Sequence, residues 1–185
     1  TGLVGQYAHG NEPSHHMAYL YSYVGQPWKT QEWTRRLLDE MYQPTPEGII
    51  GNEDCGQMSA WYILSSLGFY SVCPGSNQFI LTTPLFDKAN MKLGNGKTLV
   101  ITANQPDKNK YITKVTLNGE EISHCYITYD QLMQGGTLDF TLSATPDKRW
   151  GTAPEYAPYS YTEQPTVSIP YIANDLDLFE GEITA

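Results

Sequence analysis

Residues 56–82, GQMSAWYILSSLGFYSVCPGSNQFILT, contain the point at which the periodicity of the chain changes. Up to Gly68, apolar residues recur at spacings of three and four, which predicts a helix that begins near Gly56-Gln57 and ends at a left-handed glycine cap. After the break at Cys73-Pro74-Gly75 the period falls from about 3.6 to about 2, which is typical of β-strands. This change predicts an α+β fold.

Two further helices are predicted upstream of this stretch. The first follows Pro13 and ends at Gly25, and its apolar residues recur at helical spacing. They are Met17, Leu20, Tyr21 and Val24. The second begins at Pro27, where a missing N–H costs nothing, and ends at Gln43-Pro44-Thr45-Pro46. Its apolar stripe consists of Trp33, Leu37, Leu38 and Met41. The short connections between successive helices predict antiparallel hairpins.

Downstream of the change in period, β-branched runs separated by turn signals predict an antiparallel, sandwich-like β region. These runs are residues 78–82, 97–102, 111–117 and 137–142. Asn118-Gly119 is a strong hairpin signal, because both central residues of a type I′ turn need a positive φ. We therefore divide the chain into a helical region (residues 1–75), an antiparallel β region (76–153), and a linker with the start of a truncated further domain (154–185).

Composition and charge exclude several classes of protein. The 185 residues are 40% hydrophobic and 17% charged, which fits one large or two small globular units. Eleven basic against twenty acidic residues give a net charge of −9, which argues against nucleic acid as a partner. The chain has no apolar run of about 18 residues and no export signal at Thr1, so we expect no membrane span. Either the protein is cytoplasmic or its beginning is missing.

Aromatic and sulfur-containing residues give weaker signals. Fourteen Tyr and four Trp are typical of sugar-binding clefts, although on composition alone ordinary helix packing is the more common reason for such residues. Cys55, Cys73 and Cys125 form no CxxC pair and no Cys/His metal spacing, so we expect no zinc site. Because their number is odd, at least one thiol is expected to be free.

Two polar clusters each lie immediately before a predicted helix, at residues 9–16 (HGNEPSHH) and 51–57 (GNEDCGQ). A loop that enters a helix N-terminus places its carboxylates beside unpaired backbone N–H groups, which keeps them ionised. Glu12 and Asp54 are therefore candidates to bind hydroxyls, a hard cation, or a water to be activated. Helix capping alone would explain Asn11 and Asp54 as well.

The second cluster holds more polar side chains than a cap requires. Asn52, Glu53 and Asp54 stand together between two glycines, and Gln57 follows within the first turn of the helix. Glycines beside a carboxylate let the backbone approach a ligand closely. In the first cluster, adjacent helical side chains point in different directions, so at most one of His15 and His16 is expected to face a site.

Four segments resemble the C-terminal part of the catalytic module of glycoside hydrolase family 92, the calcium-dependent exo-α-mannosidases abundant in gut Bacteroidetes. They are HGNEPSHHMAYLYSYVGQPWKTQ, GIIGNEDCGQMSAWYILSSLGFYSVCPGSNQFIL, NKYITKVTLNGEEI and GGTLDFTLSATPDKRWG. The resemblance covers roughly residues 1–160. It implies a fold in which an N-terminal β-sandwich precedes an (α/α)6 barrel. The three predicted helices would then be the last hairpins of that barrel, and the β region would close the module.

The resemblance implies inverting hydrolysis of terminal α-mannosyl linkages, mostly α-1,2, in the degradation of N-glycans. It assigns Asp54 as the general base that activates water, opposite a carboxylic acid that protonates the leaving oxygen. It further implies that Asn11, Glu12, Asn52 and Gln57 bind substrate, and that Glu12 and Asn52 surround a Ca²⁺ ion. Many relatives have aspartate where this chain has Asn52, so Asn52 can position water or sugar but cannot act as a base.

The resemblance also places the general acid upstream of residue 9, outside this chain. We therefore expect a fragment of a longer periplasmic, cell-surface or secreted enzyme that is inactive in isolation. Its expected partners are mannose-containing glycans and the upstream part of its own polypeptide, and the isolated chain is expected to self-associate. The competing interpretation is a non-catalytic carbohydrate-binding or adhesion module. A protein-interaction module is a distant third, because heptads and Pro-rich ligand motifs are absent from the sequence.

Overall fold

The structure, a computed structural model, describes residues 2–160, 166–173 and 177–184. The chain starts with a short antiparallel hairpin of β1 (Leu3–Val4) and β2 (Tyr7–Ala8). Two 3₁₀ helices follow, Glu12–Ser14 and Met17–Val24. Helices α1 (Pro27–Met41) and α2 (Gln57–Ser66) complete the helical region. Both α-helices start and end close to the predicted positions, and Gly68 has the expected left-handed φ of +97°.

The predicted apolar face of the first helix is wrong. Met17, Leu20 and Val24 are 46%, 44% and 66% exposed, whereas Tyr19 and Ser22 are fully buried. A 3₁₀ helix aligns every third residue, and here hydrogen bonds select the inward row. The Tyr19 hydroxyl bonds the Ser65 hydroxyl at 2.6 Å, and Ser22 Oγ donates to Thr30 Oγ1 at 3.0 Å. Polar contacts to α1 and α2 therefore orient the helix, and its aliphatic side chains face outward.

Helix α1 is joined to the β region by buried polar side chains at helical spacing. Gln31 Oε1 accepts a hydrogen bond from the Ile112 N–H at 2.9 Å. Both terminal nitrogens of the Arg35 guanidinium donate at 2.8 Å to backbone carbonyls, those of Pro84 and Pro106. Burial lowers the pKa of Arg35. The contact between the helical and β regions is thus specified by side-chain-to-backbone hydrogen bonds.

The β region contains a five-stranded sheet and a three-stranded sheet. In spatial order the larger sheet consists of β5 (Lys88–Lys92), β6 (Thr98–Ala103), β10 (Gly136–Ser143), β7 (Tyr111–Leu117) and β8 (Glu120–Glu121). The smaller sheet consists of β3 (Phe69–Tyr70), β4 (Gln78–Leu81) and β9 (Tyr126–Thr128), and the short helix α3 (Tyr129–Met133) leads from β9 to β10.

The strand pairing confirms the α+β class and corrects one detail of it. Strand β10 pairs antiparallel with β7 but parallel with β6, so the larger sheet is mixed rather than purely antiparallel. A parallel pair needs a long crossover, and the chain between β6 and β10 supplies it. The hairpin at Asn118-Gly119 is confirmed, since these residues have φ values of 53° and 88° and Leu117 pairs with Glu120.

Two hydrophobic cores fill the structure. The core of the larger sheet is mainly aliphatic and includes Leu99, Ile101, Ile112, Val115 and Leu138. The helical core includes Tyr19, Leu37, Leu38, Trp61 and Ile80. Helix α2 lies between them, because Trp61 belongs to the helical core while Leu64 packs against the sheet core.

The last described segments are β11 (Thr166–Ala173) and β12 (Asp177–Thr184), which form an antiparallel hairpin. They fall within the range predicted as a linker and the start of a further domain, and residues 161–165, 174–176 and 185 lie outside the described residues. The proposed domain boundaries stay predictions. Among the described helices, none combines the length and the apolarity that crossing a bilayer requires.

Candidate active site

The two polar clusters meet in space, with backbone against backbone. A Cβ atom placed on Gly51 would lie 2.8 Å from the carbonyl oxygen of Gly10, closer than real Cβ contacts allow. Gly51 also has a φ of +78°, a conformation that favours glycine. Glycine at position 51 therefore lets the loop that carries Glu12 lie directly against the loop that carries Asp54.

The first loop is anchored by the fully buried His9. Its Nδ1 lies 2.8 Å from the Tyr7 hydroxyl and its Nε2 lies 2.8 Å from the Tyr42 hydroxyl. Because Tyr42 donates its proton to the Met58 carbonyl at 3.1 Å, we assign the imidazole proton to Nε2, and Nδ1 then accepts from Tyr7. Burial, with a smaller contribution from the charge of His15, lowers the pKa of His9 to about 4. His9 is thus a neutral structural residue.

His15 connects the same loop to helix α2. Its Nε2 donates to the His9 carbonyl at 2.9 Å, and its Nδ1 accepts from the Gln57 amide at 3.0 Å. The Gln57 amide also donates to the Tyr70 hydroxyl at 2.9 Å. Trp61 Nε1 donates to the His15 carbonyl at 3.1 Å. The Gln57 amide nitrogen therefore holds the two loops together, and His15 rather than His16 faces this network.

Glu12 and Asp54 lie side by side where the two loops meet. The charge of the neighbouring Glu12 is the main cause that raises the pKa of Asp54. Asp54 is exposed, whereas Glu12 Oε1 is buried and finds no hydrogen-bond partner within the described part of the chain. The arrangement is a pair of close carboxyl groups, of which one faces solvent.

Capping does not explain Asp54 or Asn11. Gly56 occupies the N-cap position of α2, two residues after Asp54. Asn11 is the N-cap of the helix Glu12–Ser14, but its side chain accepts no capping hydrogen bond within the described residues. Asn11 and Asn52 are close to the carboxyl pair in the sequence, since Asn11 precedes Glu12 and Asn52 lies two positions before Asp54. Both side chains are exposed, so a ligand can reach them.

The loop before α2 has an unusual backbone. Asp54, Cys55 and Gly56 have φ values of 42°, 60° and 86°, so three consecutive residues are left-handed. The Glu53 carboxylate spans this turn and accepts hydrogen bonds from the Ser59 N–H and the Ser59 hydroxyl, both at 2.9 Å. The sequence drew attention to Glu53 only as a member of the cluster, because no spacing rule indicates a contact across six residues.

The side chains where the two loops meet offer oxygen ligands, but few of them. Among the described residues, no group of three or more His, Cys, Asp and Glu side chains is arranged to hold one. The oxygen atoms of Glu12 and Asp54 nevertheless suit a hard cation such as Ca²⁺, and the unpartnered Glu12 oxygen is free to coordinate. Ca²⁺ takes about six to eight oxygen ligands, so these side chains supply only part of a shell. In residues 2–160 the thiols of Cys55, Cys73 and Cys125 are all free.

Comparison with known proteins gives a consistent set of relatives. The model of the glycosyl hydrolase family 92 catalytic domain matches residues 1–144. A family GH92 alpha-mannosidase from Bacteroides thetaiotaomicron, solved with mannoimidazole, is 41% identical with a TM-score of 0.84 over 87% of this chain and 21% of its own. A family GH92 inverting mannosidase from the same species is 46% identical with a TM-score of 0.79 over 85% of this chain and 21% of its own.

A curated relative is similar over most of this chain. An uncharacterized secreted glycosidase from Arthroderma benhamiae is 31% identical over 155 residues, which is 82% of this chain and 20% of that protein. The chain therefore spans about a fifth of the length of the relatives it matches.

Proposed function

The chain belongs to glycosyl hydrolase family 92, and from this membership we propose that the whole protein is an inverting exo-α-mannosidase. The proposal is supported by the resemblance in fold and sequence to two mannosidases, one of which is described as inverting. The observation that carries it is the pair Glu12 and Asp54, which two separate loops bring together at the contact of Gly10 with Gly51.

Asp54 would act as the general base. Its carboxyl group is exposed, so a water molecule can reach it. An inverting glycosidase needs a second carboxyl group on the opposite side of the sugar ring, far enough away to leave room for that water. We propose that this general acid belongs to a part of the whole protein outside these residues.

Glu12 and Asn52 would hold a Ca²⁺ ion together with ligands from elsewhere in the whole protein. Such a site would supply a Lewis acid that binds sugar hydroxyls. Glu12 presents a buried oxygen that lacks a partner among the described residues, which is the donor that such an ion prefers. Asn11 and Gln57 would contact the sugar through their amide groups, with Gln57 already oriented by His15 and Tyr70.

The substrate would be a terminal α-mannosyl residue, with α-1,2 linkages of N-glycans as the preferred class. The whole protein would act outside the cytoplasm, in the periplasm, at the cell surface or after secretion, as the secreted glycosidase of Arthroderma benhamiae is described. A further partner of this chain would be the remainder of its own polypeptide. The exposed residues Met17, Leu20 and Val24 are the surface that it would cover.

The reaction can be followed by ¹H NMR of the whole protein with an α-1,2-linked mannobiose. We expect β-mannose to appear first, because inversion changes the configuration at the anomeric carbon. A chelator should abolish the activity, and Ca²⁺ but not Zn²⁺ should restore it, because the donors are oxygen atoms. Initial release of α-mannose, or activity that survives exhaustive chelation, would contradict the proposal. Binding of the disaccharide without hydrolysis would favour the adhesion module instead.

A further inference from the structure

Glu53 is the charged residue of the second loop to which the proposed mechanism gives no task. It precedes the left-handed run Asp54, Cys55 and Gly56, whose φ values are 42°, 60° and 86°. Residues with a Cβ atom rarely adopt such φ values, and they keep them only when surrounding contacts enforce them. Two of the three residues have a Cβ atom, and one of them is the proposed base.

The contacts that enforce this conformation come from Glu53. Its Oε1 accepts from the Ser59 N–H and its Oε2 accepts from the Ser59 hydroxyl, each at 2.9 Å. Ser59 lies in the first turn of α2, where backbone N–H groups have no partner inside the helix. The Glu53 carbonyl also accepts a longer hydrogen bond from the Met58 N–H at 3.4 Å. The first residue of the turn is thus fixed to the helix that begins at its other end.

We propose that Glu53 is a positioning residue for Asp54: its two hydrogen bonds to Ser59 hold the left-handed turn that presents the Asp54 carboxyl group beside Glu12. This inference rests on the proposed function, because Asp54 matters only if it is the base. Glu53 needs no contact with substrate for this task. The task requires a planar end group with two polar atoms, carried on a side chain as long as that of glutamate, so that both atoms reach Ser59.

The set of variants follows from the chemistry of this contact. Glu53→Ala removes both hydrogen bonds. Glu53→Gln keeps them without the charge, because its oxygen accepts from the Ser59 N–H and its amide donates to the Ser59 hydroxyl. Ser59→Ala removes the hydroxyl bond and leaves the backbone bond. Glu47→Ala is the matched control, since Glu47 is an exposed carboxylate in the preceding loop.

Activity of the whole protein on an aryl α-mannoside separates these variants. We expect Glu53→Ala to lower kcat by about 100-fold with little change in KM, because a displacement of about 1 Å of a catalytic group has an effect of this size. Glu53→Gln and Glu47→Ala should remain close to the wild type, and Ser59→Ala should fall between. In an Asp54→Asn background, Glu53→Ala should cause no further loss, because the residue acts through Asp54.

Several outcomes would overturn the inference. They are full activity of Glu53→Ala beside an inactive Asp54→Asn, a loss in Glu53→Gln as large as in Glu53→Ala, and an equal loss from Glu53→Ala in both backgrounds. The first of these leaves the proposed function intact. An active Asp54→Asn variant overturns the proposed base and this inference together. If Glu53→Ala does not fold, Ser59→Ala in the two backgrounds makes the same test.

Discussion

The core of the larger sheet is aliphatic, whereas the core beneath the two loops is polar and aromatic. In the sheet, Leu99, Ile112 and Val115 are buried among other apolar side chains. Under the loops, His9 and His15 are buried and stacked at 4.8 Å, and Trp61 lies edge-on to His9 at 4.4 Å. Burial of polar groups is costly unless every one is hydrogen-bonded, so such a network tolerates few alternative arrangements.

This difference separates two tasks within one chain. An apolar core stabilises a fold through the apolar surface area that it buries and the volume that it fills, and it accepts many combinations of side chains. A hydrogen-bonded core instead fixes directions, because each bond works only over a narrow range of geometry. In this protein the second kind of core lies directly below Glu12 and Asp54, the residues that the proposed reaction needs at defined positions.

The largest expected effect is that of Asp54→Asn in the whole protein. The amide keeps the shape of the side chain but cannot accept a proton from water, so we expect kcat to fall by about 10² to 10⁴. KM should change less. Kinetics on an aryl α-mannoside measure the effect, with Asp87→Asn, an exposed residue before β5, as the control. An Asp54→Asn variant that keeps more than about a tenth of the wild-type kcat is incompatible with a general base at this position.

A substitution in the sheet core should lower the stability of the protein and leave its activity unchanged. Leu99→Ala removes a fully buried side chain, and we expect the free energy of unfolding to fall by about 2–5 kcal/mol. The kcat per folded molecule should stay unchanged, because no polar contact of the site depends on Leu99. Urea unfolding and an assay on the same sample measure both quantities, with the exposed Thr98→Ala as the control. A fall in kcat without a loss of stability would contradict the view that the sheet core contributes to stability and not to the geometry of the site.

The sequence predicts the two regions unequally well. Helices α1 and α2 and the strands β4, β6, β7 and β10 follow from periodicity and turn residues, because each pattern reflects burial of one face. Strand β5, KANMK, is not predicted because it contains no β-branched or aromatic residue, although its residues alternate between polar and apolar. The exposed face of Met17–Val24 was mispredicted, since hydrogen bonds and not apolar side chains set its orientation.

The candidate site shows the same limit. The two polar clusters drew attention to Glu12 and Asp54, and the family resemblance implied their roles, but their environment depends on contacts that no local pattern encodes. His9 and Tyr42 are separated by 33 positions, and His15 and Gln57 by 42. The period of a helix or strand shows which of its faces is buried. A hydrogen bond of this kind instead joins two particular side chains that are far apart in the sequence, and no period identifies them. That relation becomes visible only in the folded chain.

The polar core should also make stability depend on pH. The pKa of His9 falls from 6.5 in the unfolded chain to about 4 in the folded chain. Between these values the unfolded state binds more protons, so stability is fully present above pH 6.5 and is lost as the pH falls toward 4. We expect a loss of up to about 3 kcal/mol in the 185-residue chain.

Urea unfolding of that chain at several pH values measures this effect. A His9→Gln variant should lose stability at neutral pH but show a flatter pH dependence, because its side chain does not titrate. His124→Gln serves as the control, since His124 is exposed. An unchanged pH dependence in His9→Gln would mean that the buried imidazole does not carry the effect.

The smallest expected effect on stability concerns the exposed apolar face of the 3₁₀ helix. Met17 lines a cavity of about 440 Å³ together with Val4, Tyr7 and Trp33, and Leu20 and Val24 are exposed on the same helix. The apolar stripes of α1 and α2 are largely covered, since Leu37, Met41 and Trp61 are buried. The uncovered apolar residues are instead those of the 3₁₀ helix, and exposed apolar surface favours association.

Leu20→Lys should therefore change the unfolding free energy of the 185-residue chain by less than about 0.5 kcal/mol while it weakens self-association. Sedimentation velocity over a range of concentrations measures the association. Phe86→Lys is the matched control, because Phe86 is 47% exposed in the β region and Leu20 is 44% exposed in the helical region. A wild-type chain that stays monomeric, or equal effects of the two variants, would show that the helical face is not an interface. In the whole protein, Leu20→Lys should instead destabilise the fold, because the remainder of the polypeptide would bury the new charge.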